Sequence, residues 1–99
     1  NQFAIADCRT ELDAAWLLML RAAALLDRGD KASRESSEAK LYASEACGRI
    51  VDRMLQLHGG YGYSEEYAIE RLYRDARITR IYEGTNEIQR MIVAREVLR

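Results

Sequence analysis

The sequence predicts an all-α protein whose amphipathic helices pack as an antiparallel, up-and-down four-helix bundle. Apolar residues recur at spacings of three and four along most of the chain, which is the period of a helix face. No proline interrupts these patterns, and five of the six glycines fall between them. Because each patterned segment is apolar on one side, the segments are expected to bury those sides against one another.

The first helix is predicted from about Phe3 to Asp27 and is followed by a turn at Arg28-Gly29-Asp30. Asp30 is expected to cap the next helix, because its carboxylate can accept hydrogen bonds from free backbone N–H groups. The apolar face of the first helix consists of Leu12, Trp16, Met19, Leu20 and Ala23.

The second helix is predicted from about Lys31 to Leu57. Glu45 and Arg49 stand four residues apart and are expected to pair on its outer side. Gly59 and Gly60 should end it, since glycine readily adopts the left-handed conformation found after helix C-termini. Small residues in its apolar stripe would let another helix approach closely; the stripe contains Ala39, Tyr42, Ala43, Ala46, Cys47, Ile50, Met54 and Leu57.

The third and fourth helices each begin at a preferred N-cap residue with acidic residues after it. The third is predicted from Ser64 to about Ile78, with Glu65 and Glu66 in its first turn. The fourth is predicted to start near Thr85, with Glu87 in its first turn. Their apolar sides are supplied by Tyr67, Ile69, Leu72 and Tyr73, and by Ile88, Met91, Ile92 and Leu98.

Length and charge limit the possible classes of function. With 99 residues the chain forms one domain at most, and its net charge of −1 gives no electrostatic case for binding nucleic acid or anionic membranes. The longest apolar run, Ala14 to Leu20, is too short to span a bilayer. Cys8 and Cys47 are interpreted as small apolar side chains rather than as a disulfide. The chain begins at Asn1 in the middle of a helical pattern, so we expect a fragment of a longer protein.

A metal centre is not predicted. Metal-binding helical bundles use Glu-x-x-His pairs, but the only histidine, His58, has Leu55 three residues before it. Four arginines at a spacing of three favour a solvated face paired with acidic neighbours, and a phosphate or subunit contact is the alternative. The arginines are Arg71, Arg74, Arg77 and Arg80, and the acidic neighbours are Glu66, Glu70 and Asp75.

Two glycine-containing breaks are candidate functional sites. The break from Gln56 to Gly60 is either a helix C-cap and turn or a place where bare backbone lets a ligand approach. Glu83 precedes Gly84 at the start of a helix. Its apolar neighbours Ile81 and Tyr82 could desolvate the carboxylate and raise its pKa, which suits a general base near neutral pH. The carboxylate could equally serve only to cap the next helix.

The stretch from Leu55 to Arg99, which contains both breaks, resembles the C-terminal signature of the flavin-dependent acyl-CoA dehydrogenases. Three motifs occur together at the family's spacing: Gln-x-x-Gly-Gly from Gln56, Arg-Asp-Ala-Arg from Arg74, and Tyr-Glu-Gly-Thr-Asn-Glu-Ile-Gln from Tyr82. The upstream helices resemble the same domain, so the resemblance covers nearly the whole chain. It implies that residues 1–99 are most of a C-terminal α-helical domain, which follows an N-terminal α domain and a middle β domain in the family.

The resemblance also implies an activity, which is FAD-dependent α,β-dehydrogenation of acyl-CoA thioesters in fatty acid β-oxidation and lipid metabolism. Glu83 matches the base that removes the α-proton, and its backbone N–H helps to polarise the thioester carbonyl. Tyr82 and Gly84 are implied to lie at the substrate. Thr85 and Glu87 are implied to contact FAD. Gln56, with the backbone of Gly59 and Gly60, is implied to reach the FAD of a neighbouring subunit.

Partners and compartment follow from the same resemblance. It implies a homo-oligomer, a tetramer built as a dimer of dimers, with electron-transfer flavoprotein as the electron acceptor. Relatives work in the bacterial cytoplasm or the mitochondrial matrix. The isolated fragment is expected to be inactive, because the parts that cover the flavin lie outside it. A related acyl-CoA oxidase and a non-catalytic helical oligomerisation module remain as alternatives.

Overall fold

The computed structural model describes residues 1–63 and 68–99, with Tyr61 and Tyr63 described by their backbone alone. It contains four α-helices and, between them, two short 3-10 helices. The α-helices are α1 (Gln2–Asp27), α2 (Ser33–Leu57), α3 (Ala68–Arg77) and α4 (Asn86–Leu98), and the 3-10 helices are Gly59–Tyr63 and Ile78–Arg80. No strand occurs among the described residues, and the all-α four-helix prediction is confirmed.

Helices α1 and α2 are antiparallel. Near the connecting turn, Arg21 of α1 pairs with Glu38 of α2. Farther from the turn, Glu11 of α1 pairs with Arg49 at 3.1 Å and with Arg53 at 3.2 Å. The contacts therefore move backward along α2 as they move forward along α1.

Helix α2 is the central helix and contacts each of the other three. Helix α3 lies on its C-terminal half, where Gln56 and Tyr73 line one groove. Helix α4 begins beside the middle of α2, where the Asn86 amide lies 2.9 Å from Ser44 Oγ. The last turn of α4 reaches the first turn of α2, so α4 is antiparallel to α2.

The core along α2 is built from small side chains. Among the residues that the structure describes, seven apolar ones are buried: Cys8, Ala22, Ala32, Ala39, Ala46, Ile69 and Ala76. Larger apolar side chains at the outer ends of α1 and α4 stay open to solvent, including Phe3 at 87% and Leu98 at 83% exposure. Both cysteines are free thiols, with Cys8 buried and Cys47 half-buried. No helix in residues 1–63 or 68–99 is long and apolar enough to cross a membrane.

The expected cap at Asp30 is wrong. The N-cap of α2 is Ala32, which has a left-handed backbone with φ of 51° and makes no side-chain capping bond. Asp30 lies too far before the first turn and pairs with Arg28 instead. The negative charge in the first turn of α2 comes from Glu35.

The other helix ends agree with their predictions where the structure describes them. Gly59 follows α2 with φ of +62°, the left-handed conformation expected of a glycine there. Thr85 caps α4, and its hydroxyl accepts a hydrogen bond from the Ile88 N–H at 3.3 Å. The predicted cap of the third helix at Ser64, and the expected roles of Glu65, Glu66 and Tyr67, lie outside the described residues.

The expected pair between Glu45 and Arg49 is also wrong. Glu45 instead accepts hydrogen bonds from Arg80 and Arg90, each at 3.4 Å. Arg49 turns toward α1, pairs with Glu11, and lies 5.7 Å from the centre of a tyrosine ring on its own helix. Each side chain has a partner on a neighbouring helix, and that partner replaces the local one.

Candidate functional site

The connection between α3 and α4 contains two successive residues in the left-handed region. Glu83 has φ of 58° and Gly84 has φ of +87°. A glycine tolerates this conformation, but a side chain with a Cβ costs roughly 1–2 kcal/mol there. Such strained residues persist only where surrounding contacts hold them, and they cluster at functional sites.

Three side-chain hydrogen bonds hold the strained segment. Gln89 Nε2 donates to the carbonyl of Glu83 at 3.3 Å and to that of Gly84 at 3.4 Å. Lys40 Nζ, from α2, donates to the Gly84 carbonyl at 2.9 Å. A Cβ placed on Gly84 would lie 2.9 Å from Gln89 Nε2, so a side chain at this position would push that amide away.

Asn86 links the loop to α2. The residue is only 1% exposed, and both its amide oxygen and its amide nitrogen make hydrogen bonds to polar neighbours. Asn86 Oδ1 accepts from Lys40 Nζ at 2.7 Å, while Nδ2 donates to Ser44 Oγ at 2.9 Å and to Glu45 Oε1 at 3.1 Å. Because every contact fits one orientation of the amide, the side chain of Asn86 is held in place.

The carboxylate of Glu45 is the acidic centre of this network. The hydrogen bond from Asn86 lowers the pKa of Glu45, burial opposes that shift, and the guanidinium groups of Arg80 and Arg90 lower it further. The carboxylate therefore stays ionised and keeps its three donors together across α2, α4 and the segment between α3 and α4.

A pocket of about 430 Å³ lies beside the strained loop. Glu83 and Tyr82 are exposed at one side of it, and Lys40 lies at another. Its lining is mostly apolar and comes from α2 and the α3–α4 connection: Lys40, Ala43, Ser44, Cys47, Thr79, Tyr82 and Glu83. Glu83 is thus the single acidic residue in the described lining of this pocket, and hydrogen bonds fix its backbone.

The other predicted site residues lie elsewhere. Gln56 is exposed and lines a separate groove of about 320 Å³ between α2 and α3. Gly59 and Gly60 are exposed, and a Cβ added to either would meet no atom within 4 Å. Thr85 is half-buried at the start of α4, and Glu87 is exposed in its first turn. The structure thus groups Tyr82 and Glu83 with one pocket, with Gly84 next in the chain. Gln56 lies in the last turn of α2, and Gly59 and Gly60 follow the end of that helix.

The four arginines do not form one solvated face. Arg74 pairs with Glu70, as expected, whereas Glu66 lies outside the described residues. Arg80 turns inward, and its guanidinium Cζ lies 3.6 Å from where a Cβ on Gly48 would be. Within the part of the chain that the structure describes, no three His, Cys, Asp or Glu side chains come together as a metal site.

Sequence reasoning missed the residues that hold the loop. Lys40 and Gln89 supply its hydrogen bonds, and Asn86 accepts one from Lys40. Asn86 and Gln89 fall within the motif that begins at Tyr82, but the sequence assigns them no role of their own and does not single out Lys40. The available signal was weak, since Lys40 stands beside the small-residue stripe of α2 and Asn86 directly follows the N-cap of α4.

The fold and the site define a helical domain that presents a carboxylate on a strained loop. The family model described as "Acyl-CoA dehydrogenase, C-terminal domain" matches residues 1–98, so the chain belongs to the acyl-CoA dehydrogenase family as that domain. The resemblance seen in the sequence is confirmed, and the relatives that carry this domain are named as oxidoreductases.

Three similar proteins illustrate the range of the family. The chain is 51% identical over 99% of its length to 3-(aryl)acrylate reductase of Clostridium sporogenes. It is 50% identical over 98% of its length to the caffeyl-CoA reductase-Etf complex subunit CarC of Acetobacterium woodii. Among solved structures, butyryl-CoA dehydrogenase of Megasphaera elsdenii superposes with a TM-score of 0.96 at 42% identity over 99% of the chain.

The chain spans about a quarter of these relatives, 26% of the length of each. The match to the solved structure covers the whole helical arrangement, so the order and packing of the four helices are those of the family.

Proposed function

We propose that residues 1–99 are the C-terminal catalytic and oligomerisation domain of a longer FAD-dependent enzyme that acts on the α and β carbons of acyl-CoA thioesters. In this proposal Glu83 is the base that removes the α-proton. The observation that carries the proposal is the left-handed backbone of Glu83, held at the edge of a pocket by Lys40 and Gln89. Residues other than glycine in this conformation are enriched at functional sites, and Glu83 is the one that borders this pocket.

Removal of the α-proton requires a carboxylate that is held in a fixed position. Removing a proton next to a thioester carbonyl needs a base within hydrogen-bond reach of that proton, in a fixed orientation. The hydrogen bonds to the carbonyls of Glu83 and Gly84 supply the orientation. In the same proposal the Glu83 N–H donates to the thioester oxygen, which stabilises the enolate-like charge that develops as the proton leaves. Tyr82 and Gly84 line the thioester.

The residues present fit a bound FAD. Gly59 and Gly60 offer open backbone that a flat ligand can approach, and Gln56 offers an exposed amide in the groove next to them. The Thr85 hydroxyl accepts from the helix and retains its proton as a donor. We propose that Thr85 and Glu87 contact the cofactor and that Gln56, Gly59 and Gly60 contact the FAD of a neighbouring subunit. When bound, FAD would supply the acceptor for the hydride that leaves the β-carbon.

An anaerobic titration of the full-length protein with saturated acyl-CoAs tests the proposal. Loss of the oxidised-flavin absorbance with one chain length is the expected result. Glu83→Gln should slow that reduction about 10²–10⁴-fold while leaving acyl-CoA binding intact. Asp27→Asn, an exposed carboxyl at the end of α1, is the matched control and should reduce flavin at the wild-type rate. A Glu83→Gln variant with near-normal reduction would remove Glu83 from the role of base.

A second candidate is the reverse reaction, reduction of an α,β-unsaturated acyl thioester. Two relatives about as similar as any compared are named as reductases, at 51% and 50% identity. The same carboxyl would then donate the α-proton, since a group that acts as base in one direction acts as acid in the other. Mixing chemically reduced holoprotein with enoyl-CoAs would reveal this activity by the return of oxidised flavin. Both directions should require Glu83.

We further propose that the full-length protein is a homo-oligomer and exchanges electrons with electron-transfer flavoprotein. The CarC relative is named as a subunit of a reductase-Etf complex. The open apolar side chains at Phe3 and Leu98 are consistent with helix ends that a second subunit covers. Light scattering should give a tetramer mass, and a monomer at micromolar concentration would contradict the oligomer.

A further inference from the structure

We propose that Lys40 is a positioning residue for Glu83: its ammonium group holds the strained loop in the conformation that aims the carboxylate. This inference rests on the proposed role of Glu83 as base. Lys40 lies on α2, forty-odd residues before the loop in sequence, and contacts both Gly84 of the loop and Asn86 at the start of α4. Its Nζ donates to the Gly84 carbonyl at 2.9 Å and to Asn86 Oδ1 at 2.7 Å.

The geometry makes Lys40 the strongest contact to the strained peptide. Gln89 Nε2 reaches the same Gly84 carbonyl, but at 3.4 Å and without a charge. A charged donor at 2.9 Å forms a bond roughly twice as strong as a neutral one. Without Lys40, the Gly84 carbonyl would keep only the longer bond, and the left-handed backbone at Glu83 would be free to relax.

The position of the Lys40 ammonium group is itself fixed by the buried amide of Asn86. Asn86 Nδ2 donates to Ser44 and Glu45, which turns Oδ1 toward the ammonium group. Flipping the amide would place an NH₂ group against Lys40 and an oxygen against the Glu45 carboxylate, so the flipped form is disfavoured. The ammonium group is therefore anchored on one side by a rigid acceptor and on the other by the loop.

Lys40 also lines the pocket that Glu83 borders, and so it belongs to the site and not only to the fold. We place no step of the reaction on Lys40. Both of its described hydrogen bonds go to acceptors of the loop and of Asn86, and its effect on the reaction is through the position of Glu83.

The test separates proton abstraction from hydride transfer. Acetyl-CoA has an α-carbon but no β-carbon, so a holoenzyme can exchange its α-protons with deuterated water but cannot dehydrogenate it. Exchange is followed by NMR in the full-length protein and in Lys40→Met, Lys40→Gln and Lys31→Met. Lys31 is the only other lysine of the chain, lies exposed before α2, and provides the matched control. Amide hydrogen exchange of residues 81–86 is measured in the same samples.

Lys40→Met should slow α-proton exchange about 10–100-fold, since a shift of about 1 Å in a catalytic group can cost that much. The dissociation constant of acetyl-CoA and the FAD content should stay within about threefold of wild type, because the loss is in positioning rather than binding. Amide exchange in residues 81–86 should rise by about tenfold or more as the loop opens more often. Lys40→Gln keeps a hydrogen-bond donor without the charge, so its rates of α-proton exchange and amide exchange should lie between those of wild type and Lys40→Met. Lys31→Met should match wild type in both.

Wild-type α-proton exchange in Lys40→Met, or unchanged amide exchange in residues 81–86, would overturn the inference. An equal loss of acetyl-CoA affinity, FAD content and exchange would show that Lys40 only supports the fold, and would overturn it as well. Should Lys40→Met not fold, the same measurements on Lys40→Gln decide the question. A wild-type protein that exchanges no faster than Glu83→Gln refutes the base, whereas the amide exchange of the loop still reports on Lys40.

Discussion

Replacing Asn86 by aspartate is the sharpest perturbation of the site, because the change is nearly isosteric. Asn86→Asp keeps an oxygen for Lys40 but puts a second carboxylate where Nδ2 now lies 3.1 Å from Glu45 Oε1. The variant loses a hydrogen bond to a charged acceptor, about 1.5–3 kcal/mol, and one to the Ser44 hydroxyl, about 1 kcal/mol. Repulsion between two carboxylates at a site that is 1% exposed adds to that loss. The start of α4 should therefore be destabilised by roughly 3–4 kcal/mol at neutral pH.

The sign of the pH dependence follows from the same contacts. Beside Glu45 the pKa of the new carboxyl should be raised in the folded protein, because one of two facing carboxylates must take up a proton. The variant's penalty is therefore small below the unfolded pKa of about 3.9 and grows as the pH rises toward the folded pKa. Wild-type asparagine has no such dependence.

Amide hydrogen exchange of the segment 86–98 is the suitable assay, because it reports local opening of this helix separately from global unfolding. A loss of about 3 kcal/mol corresponds to roughly 10²-fold faster exchange, since 1.4 kcal/mol is a factor of ten. Adding Glu45→Gln to Asn86→Asp should recover much of the loss, because the glutamine amide can donate to the new carboxylate. Exchange at the wild-type rate at pH 8, or no recovery in the double variant, would show that the network does not hold α4.

Three further changes have outcomes that the structure determines. The pKa of Glu45 is lowered from 4.5, so its contribution is fully present above that pH and is lost as the pH falls from there through the folded pKa. Glu45→Gln should therefore lower the melting temperature at pH 7 and lose this effect only once the pH lies below the folded pKa of Glu45. Gly48→Ala should stabilise the protein by about 0.5–1 kcal/mol, since alanine is the better helix former. Its Cβ would lie 3.6 Å from Arg80 Cζ, an ordinary contact. Gly62→Ala should instead destabilise by about 1–3 kcal/mol, because its Cβ would lie 2.7 Å from the Leu55 carbonyl oxygen. Melting temperatures of the two glycine variants, measured in the same holoprotein, should shift in opposite directions.

Local features of the fold could be predicted from the sequence because local chemistry decides them. The helix expected from about Phe3 to Asp27 begins at Gln2 and ends at Asp27. The left-handed glycine after α2 and the Thr85 cap of α4 were expected for the same reason. In each case the signal and the structure it specifies lie within about one helical turn, so no knowledge of the other helices is needed.

Partners between helices could not be predicted in this way, because periodicity shows which face of a helix is apolar but not which neighbour that face meets. Glu45 stands one turn before Arg49, a pairing worth only about 0.3–0.5 kcal/mol on an exposed helix. Packing α3 and α4 against α2 brings Arg80 and Asn86 to the same carboxylate, where burial makes each hydrogen bond stronger, and the local pair is replaced.

The same limit explains why Glu83 could be proposed from the sequence while the residues that hold it could not. Glu83 stands next to Gly84 and a helix cap, so the neighbouring residues in the sequence already indicate its unusual position. Its conformation depends on Lys40, which is close to the loop only because α2 and α4 cross where Asn86 is buried. A short motif thus marks where the carboxylate is, and the packing of distant helices decides how it is oriented. Substitutions along α2 that leave the motif intact should therefore change the rate of proton abstraction, and substitutions of equal size on the exposed side of α1 should not.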